Sequence, residues 1–274
     1  MHPRDHILRL LREAQAGTGW VSGERMSDTL DMSRAAISKH VRILREAGYD
    51  IASLPRRGYC LKAEAEQFSE GAVRAALDSR LLGQRGWLWL GETASTNTEA
   101  ALRAMEGAPE GTVIVAERQM RGRGRRGHNW FSAPRSLAFS VILRPQAPTT
   151  PERLTLLAQH AVASAVEEQT GLRPLRKLPN DLLLDGRKFC GVLVEAGYRG
   201  SDMDWAVVGI GVNVNAREED FAGSLADAAT SLYAASGRRQ SRARLLARIL
   251  EHLEAGYLPD SKGTAVPDAV PERP

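Results

Sequence analysis

The sequence predicts an α+β protein in two parts: a small helical head ending in a strand hairpin, and a larger unit of mixed strands and helices. Two observations predict it. Apolar residues recur at helical spacing through the opening segment, then give way to two strand-like runs around a turn. Beyond a polar connector, apolar strand-like runs fall between helical stretches, the α+β pattern. The 274 residues suffice for a small domain plus a medium one.

In the head, residues 1–63, Ile7, Leu8, Leu10 and Leu11 form the apolar face of a first helix. Ser22-Gly23-Glu24 opens a second, with Met26 and Leu30 turned inward. Ser33 is placed to cap a third helix running to about Ala47, because its side-chain oxygen can accept a free N–H of the first turn. Ala36, Ile37, Val41 and Leu44 fall at helical spacing along it, and Gly48 stops it. Ile51, Leu54, Tyr59 and Leu61 flank Pro55-Arg56-Arg57-Gly58, which reads as a hairpin wing around a basic turn. Together these elements make a winged helix-turn-helix. Residues 64–68, opening Glu64-Ala65-Glu66-Gln67, are the linker.

The larger unit spans residues 69–258. Strands are expected over Trp87–Leu90, Thr112–Ala116, Leu137–Leu143, Gly191–Glu195 and Trp205–Ile210. Amphipathic helices are expected over Arg153–Thr170 and Ser241–Tyr257. Asp185-Gly186 marks a hairpin turn. Residues 259–274, rich in Pro, Gly and charge, read as a disordered tail.

With 43% hydrophobic and 26% charged residues, the composition is that of an ordinary soluble protein. No apolar run approaches the roughly 20 residues that span a bilayer. The first residues have no basic-then-apolar signal pattern, so a cytoplasmic protein without membrane association is expected. Cys60 and Cys190 are isolated, form no metal-spaced pair, and read as small buried residues.

Net charge is only +4, but the basic residues cluster. Arg34, Lys39, Arg42 and Arg45 recur along the third helix, and Arg121, Arg123, Arg125 and Arg126 crowd one loop. Such clusters are either solvated faces or phosphate sites, and context decides. In the head the context is a recognition helix. Ser33, Arg34, Ser38, Lys39 and Arg42 can reach base edges and phosphates, Ser22 opens the preceding helix, and Arg56 and Arg57 in the wing can grip the flanking backbone. Ala35 and Ala36 are small enough to let helices cross closely. The run Met32–His40 resembles the recognition helix of bacterial repressors, those of the biotin operon included.

Four segments of the larger unit carry chemistry. Ser95-Thr96-Asn97 offers hydroxyls and an amide to a neutral polar group, although such residues also cap helices. The run from Gln119 to Trp130 interleaves glycine with arginine and buries too little to order itself, so it suits a polyanion that orders it on binding. It lacks the Gly-Lys-Ser/Thr ending of a P-loop. Trp130 either stacks on an adenine or belongs to the core. Lys177-Leu178-Pro179-Asn180-Asp181 places a turn at Asn180-Asp181, and Lys188 then opens a strand where its ammonium can hold a carboxylate or phosphate oxygen. Gly209-Ile210-Gly211-Val212-Asn213-Val214-Asn215 reads as a strand ending in amides.

These four segments, in this order and spacing, resemble the catalytic domain of biotin protein ligases. With the head, the resemblance covers about residues 5 to 257. It implies a mixed-sheet ligase domain like that of class II aminoacyl-tRNA synthetases. It implies that ATP and biotin form biotinyl-5'-AMP, which a lysine of a biotin carboxyl carrier protein, an acetyl-CoA carboxylase subunit, then attacks. Lys188 and Arg125 would be the catalytic residues, Lys188 bridging the biotin carboxylate and the α-phosphate. Ser95, Thr96, Asn97, Gln119, Arg123, Gly124, Arg125 and Lys188 would bind biotin. Arg125, Trp130, Lys177, Asn180, Asp181 and Asn213 would bind the nucleotide, with Asp181 on Mg²⁺. The resemblance also implies a homodimer that represses biotin-synthesis genes at their operator, with biotinyl-AMP as corepressor.

The sequence departs from the family pattern at His128, in a usually basic position, and at Leu178, in place of tryptophan. Family members continue into a small SH3-like barrel, and nothing after Tyr257 carries its pattern. The alternatives are a biotinyl-AMP-sensing transcription factor with weak or no ligase activity, a lipoate-type ligase, and a sensor of another acyl-adenylate.

Overall fold

The computed structural model describes residues 3–46, 49–63, 68–127 and 129–258. The expected stop at Ala47-Gly48, linker residues 64–67, His128 and the tail from 259 onward lie outside them. The chain forms two compact units, the second beginning at Phe68. Phe68, assigned to the linker from sequence, is therefore part of the second unit. It is nearly buried, sits edge-on to Trp89 at 4.7 Å, and carries the Arg242 guanidinium 4.3 Å from its ring centre.

The first unit has helices α1 (Pro3–Gln15), α2 (Gly23–Leu30) and α3 (Arg34–Glu46), then strands β1 (Asp50–Leu54) and β2 (Gly58–Ala63). Ser22 and Ser33 cap α2 and α3 by accepting the N–H groups of Arg25 and Ala36 at 3.1 and 3.2 Å. Asp31, in the left-handed conformation, makes the tight turn between them. Ile7, Leu11, Met26, Ile37, Val41, Leu44, Ile51 and Leu61 form one apolar core. Burial of each such side chain contributes on the order of 2 kcal/mol. The wing turn leaves β1 at Leu54 and rejoins at Gly58, its paired residue. A Cβ on Gly58 would lie 2.0 Å from the Val21 carbonyl, so this position has to be glycine.

The second unit is built on a seven-stranded sheet. In chain order its elements are α4 (Glu70–Ala76), β3 (Trp87–Thr93), α5 (Thr96–Met105), β4 (Val113–Gln119), the short pair β5 (Gly122–Arg123) and β6 (Asn129–Trp130), β7 (Leu137–Leu143), α6 (Pro151–Thr170), β8 (Leu175–Lys177), β9 (Asp181–Leu184), β10 (Arg187–Arg199), β11 (Asp202–Val212), α7 (Leu232–Ser236) and α8 (Arg242–Tyr257). The sheet order is β3-β4-β7-β11-β10-β9-β8, with β3 and β4 parallel and all other neighbours antiparallel. The mixed sheet and the α+β class agree with the sequence reading. Asp185 and Gly186 both have positive φ, as the two-residue turn joining β9 and β10 requires. Asp181 is the first residue of β9 rather than part of the turn, because it pairs with Lys177 and Gly191.

Helices α6 and α8 pack together with the main core, which includes Phe139, Leu157, Val162, Phe189 and Leu246. A smaller apolar cluster holds α5, through Ala100 and Ala104, against Ile114, Ile142 and Val207. No described helix is long and apolar enough to cross a membrane.

His160 on α6 has its pKa lowered, chiefly by burial, then by His252 and Arg176. Its Nδ1 is buried without a hydrogen-bond partner. A histidine with folded pKa below its unfolded value of about 6.5 binds its proton more tightly when unfolded. Its contribution to stability is complete above that value and is lost as pH falls through the folded pKa. The stability of the second unit is expected to fall with acidification below pH ~6.5, and His160→Gln to flatten that slope. Urea midpoints over this range would check it.

Candidate active site

The site lies where the start of α5, the Arg-Gly loop and strands β9, β10 and β11 converge. Ser95, Thr96, Asn97, Gln119, Arg123, Gly124, Arg125 and Lys188, the expected biotin residues, all line one cavity of about 310 Å³. Ser95 is the N-cap residue of α5, yet its hydroxyl makes no capping hydrogen bond. Capping therefore does not explain this serine. Thr96 donates its N–H and hydroxyl to Gln119 Oε1 at 2.8 and 3.2 Å. Asn97 is committed to the protein: Nδ2 donates to the Leu193 carbonyl and Glu195 Oε2, and Oδ1 accepts the Ser140 hydroxyl at 2.7 Å.

The Gly-x-Gly and Lys-x-x-Gly wording has a steric origin. Alternate residues of a strand share a face. A Cβ on Gly209 would lie 1.8 Å from Asn97 Oδ1, and one on Gly211 2.5 Å from Trp130 Cε2. Gly191, paired across strands with Gly211, meets the same indole. The glycines form a flat floor on which Asn97 and Trp130 rest. Gly209→Ala is expected to displace Asn97 from its three hydrogen bonds and destabilise the second unit by about 1–3 kcal/mol. A drop in its urea midpoint would show this.

Lys188 stands at the junction of two cavities. The second, about 780 Å³, shares Gln119, Asn129, Trp130 and Lys188 with the first and adds Asn213, Phe221, Leu225 and Ala229. The Lys188 ammonium lies 2.6 Å from Asp181 Oδ1 and 5.4 Å from the Trp130 ring centre. That carboxylate oxygen is buried and receives no well-directed hydrogen bond, so the contact is an ion pair alone. The Lys188 backbone is tied to the loop of the second cavity, donating to the Ala228 carbonyl and accepting from Thr230 N–H. Burial pushes the neighbouring Cys190 thiol far up, so it stays protonated and inert.

Two family models match the chain: the biotin/lipoate A/B protein ligase family over residues 90–213 and an HTH domain over residues 4–60. The bifunctional ligase/repressor BirA of Bacillus subtilis is 38% identical over 247 residues, covering 89% of this chain and 75% of the relative. The chain belongs to the bifunctional ligase/repressor family. The Escherichia coli member is 34% identical over 198 residues, 72% of this chain and 60% of that one. Among solved structures, the biotin protein ligase from Aquifex aeolicus in complex with biotin and ATP superposes with a TM-score of 0.55 at 34% identity, covering 62% of this chain and 69% of that chain.

Within this family framework, not every residue singled out from sequence reaches the cavities. Asn180 and Asp181 line the first and Asn213 the second. The Asn213 amide is engaged, donating to the Thr230 carbonyl at 3.0 Å. Lys177 is exposed at the end of β8 and lines neither. The Arg-Gly loop is more ordered than expected: β5 and β6 pair through Gly122 with Trp130 and Arg123 with Asn129. Trp130 is a wall of both cavities rather than a core residue. In the head, Ser22, Ser33, Arg34, Ser38, Lys39, Arg42, Arg56 and Arg57 are all exposed. Arg45 instead donates to the Ile51 carbonyl and Ser53, joining α3 to the wing. Ala35 is exposed, so it does not serve helix crossing.

Sequence reasoning missed Ser140, Glu195 and Phe221. Ser140 interrupts the apolar run of β7, and Phe221 is an aromatic after an acidic run; both are visible signals. Glu195 gives none.

Proposed function

We propose that the second unit activates biotin with ATP and transfers it to a lysine of a biotin carboxyl carrier protein. The head then binds the operator of biotin-synthesis genes, with biotinyl-5'-AMP as corepressor. The observation that carries this reading is the pair of cavities joined at Lys188. The first joins neutral donors and acceptors at Ser95, Thr96 and Gln119, as a ureido ring needs, to the cations Arg123, Arg125 and Lys188, as a carboxylate needs. The second is larger and holds aromatic and apolar groups, as an adenosine needs.

In the first step a biotin carboxylate oxygen bonds to the α-phosphorus and pyrophosphate leaves. In the second the carrier amine bonds to the acyl carbon, AMP leaves, and the amine gives up a proton. Neither step uses a protein nucleophile. Both bring anions together, so the chain contributes fixed cations. Lys188 neutralises the carboxylate and α-phosphate. Arg125 lines the first cavity, has no ion-pair partner among the described residues, and can close on the phosphate. Ser95, Thr96 and Gln119 orient the ureido ring. ATP carries Mg²⁺, which takes most ligands from phosphate and water. Asp181 would offer it one carboxylate, adding charge neutralisation there.

Ordering of the loop around the adenylate favours homodimerisation, and two heads then meet a palindromic operator. These reactants place the protein in the cytoplasm. The test is ATP-dependent biotin transfer to a carrier domain. Transfer is expected. Adenylate without transfer would make the protein a sensor and repressor, and no adenylate would sink the reading.

A further inference from the structure

Glu195 is a carboxylate beside a cavity that has to accept two anions. It lies on β10 and is not part of the cavity wall. Its two oxygens face in different directions. Oε2 accepts from Asn97 Nδ2 at 2.9 Å, and Oε1 lies 3.0 Å from the Arg123 guanidinium. One side chain therefore joins three segments that are distant in sequence: the start of α5, the Arg-Gly loop and β10. Only 26% of the Glu195 side chain is exposed, against 54% for Arg123, so the rigid partner is the glutamate and the loop is what it holds.

We propose that Glu195 is a positioning residue that latches the Arg-Gly loop through Arg123 before any ligand arrives. This deepens the ligase reading and rests on it. The latch divides the loop arginines by role. Arg123 is held against β10 as a preformed part of the wall, its charge matched by Glu195. Arg125, two residues on, has no such partner among the described residues and keeps its charge for the incoming phosphate. The latch also removes part of the ordering entropy that a glycine-rich loop loses on binding. Its charge neutralises that of Arg123, so the glutamate does not repel the bound carboxylate.

The test uses the full chain and two readouts. The first is limited trypsin cleavage within residues 121–126 without ligand, which reads loop opening independently of activity. Glu195→Gln keeps the volume but places an amide N–H₂ against one of two donors. It is expected to speed cleavage about threefold, the effect of losing one partly exposed ion pair. The second is steady-state adenylation, where Glu195→Gln is expected to raise the KM for biotin more than it lowers kcat. In a double-mutant cycle with Arg123→Gln, the double variant should be cleaved no faster than the faster single variant, because both break one contact. Wild-type cleavage of Glu195→Gln, or additive effects in the cycle, would overturn the latch. Absence of adenylation by the wild type would instead defeat the ligase reading and leave the cleavage test standing.

Discussion

Alanine in place of Lys188 is expected to slow formation of biotinyl-adenylate by about 10²–10³-fold, the loss typical of one preorganised charge at a reacting centre. The ammonium sits where the two cavities meet, so it faces both reacting anions at once. Its removal also uncovers Asp181, whose Oδ1 is buried and is compensated by Lys188 at 2.6 Å. An unpaired carboxylate there would repel the biotin carboxylate. Arginine is expected to substitute poorly, since a planar fork cannot occupy the place of a compact ammonium between Asp181 and the Trp130 face. Single-turnover release of pyrophosphate at saturating biotin and ATP measures the step directly. A loss smaller than tenfold in Lys188→Ala would remove the ammonium from the reacting centre.

The residues legible in sequence are those whose chemistry is declared locally. Lys188 opens a strand after an Asp-Gly turn, and the arginines interrupt a glycine run, so both stand out by type and position. Ser22 and Ser33 stand out as caps because capping is decided within three residues. The hidden residues act across the sheet. Glu195 meets Asn97 at a separation of 98 positions, and Ser140 meets it at 43. Glu195 carries no local mark, and the mark on Ser140, a polar residue in an apolar strand, does not name its partner, because strand order supplies it. Lys177 misled for the converse reason. It shares a motif with Asn180 and Asp181, but it stands exposed at the end of β8 and lines neither cavity. The pairing of β5 with β6 was likewise not legible, since two residues on each strand carry no period and take their register from Trp130 seated on the glycine floor.

The largest expected effect on stability lies outside the site, at Glu254 on α8. Its side chain is almost completely buried and accepts three backbone N–H groups: Arg80 on Oε1 at 2.7 Å, and Leu81 and Leu82 on Oε2 at 2.7 and 2.8 Å. A single carboxylate thus satisfies a whole turn that would otherwise bury unpaired donors. The turn has no slack. A Cβ on Gly111 would lie 2.4 Å from the Leu81 carbonyl, and the Trp87 indole donates to Gly83 at 2.6 Å. Glu254→Gln keeps the volume but presents an amide N–H₂ to at least one backbone N–H, donor against donor. The expected loss is about 3 kcal/mol, from a weakened charge-assisted pair and one buried donor left unpaired. Glu251, three residues earlier, is the internal control. It accepts one backbone N–H, that of Asp78 at 2.7 Å, and its other oxygen accepts from the Arg248 guanidinium. Glu251→Gln should lose about 1 kcal/mol. Because the chain has two compact units, the comparison belongs to the unfolding transition of the second unit, followed by its tryptophans in urea. Equal shifts in the two variants would mean that the turn finds other acceptors and that α8 is held by its apolar face alone.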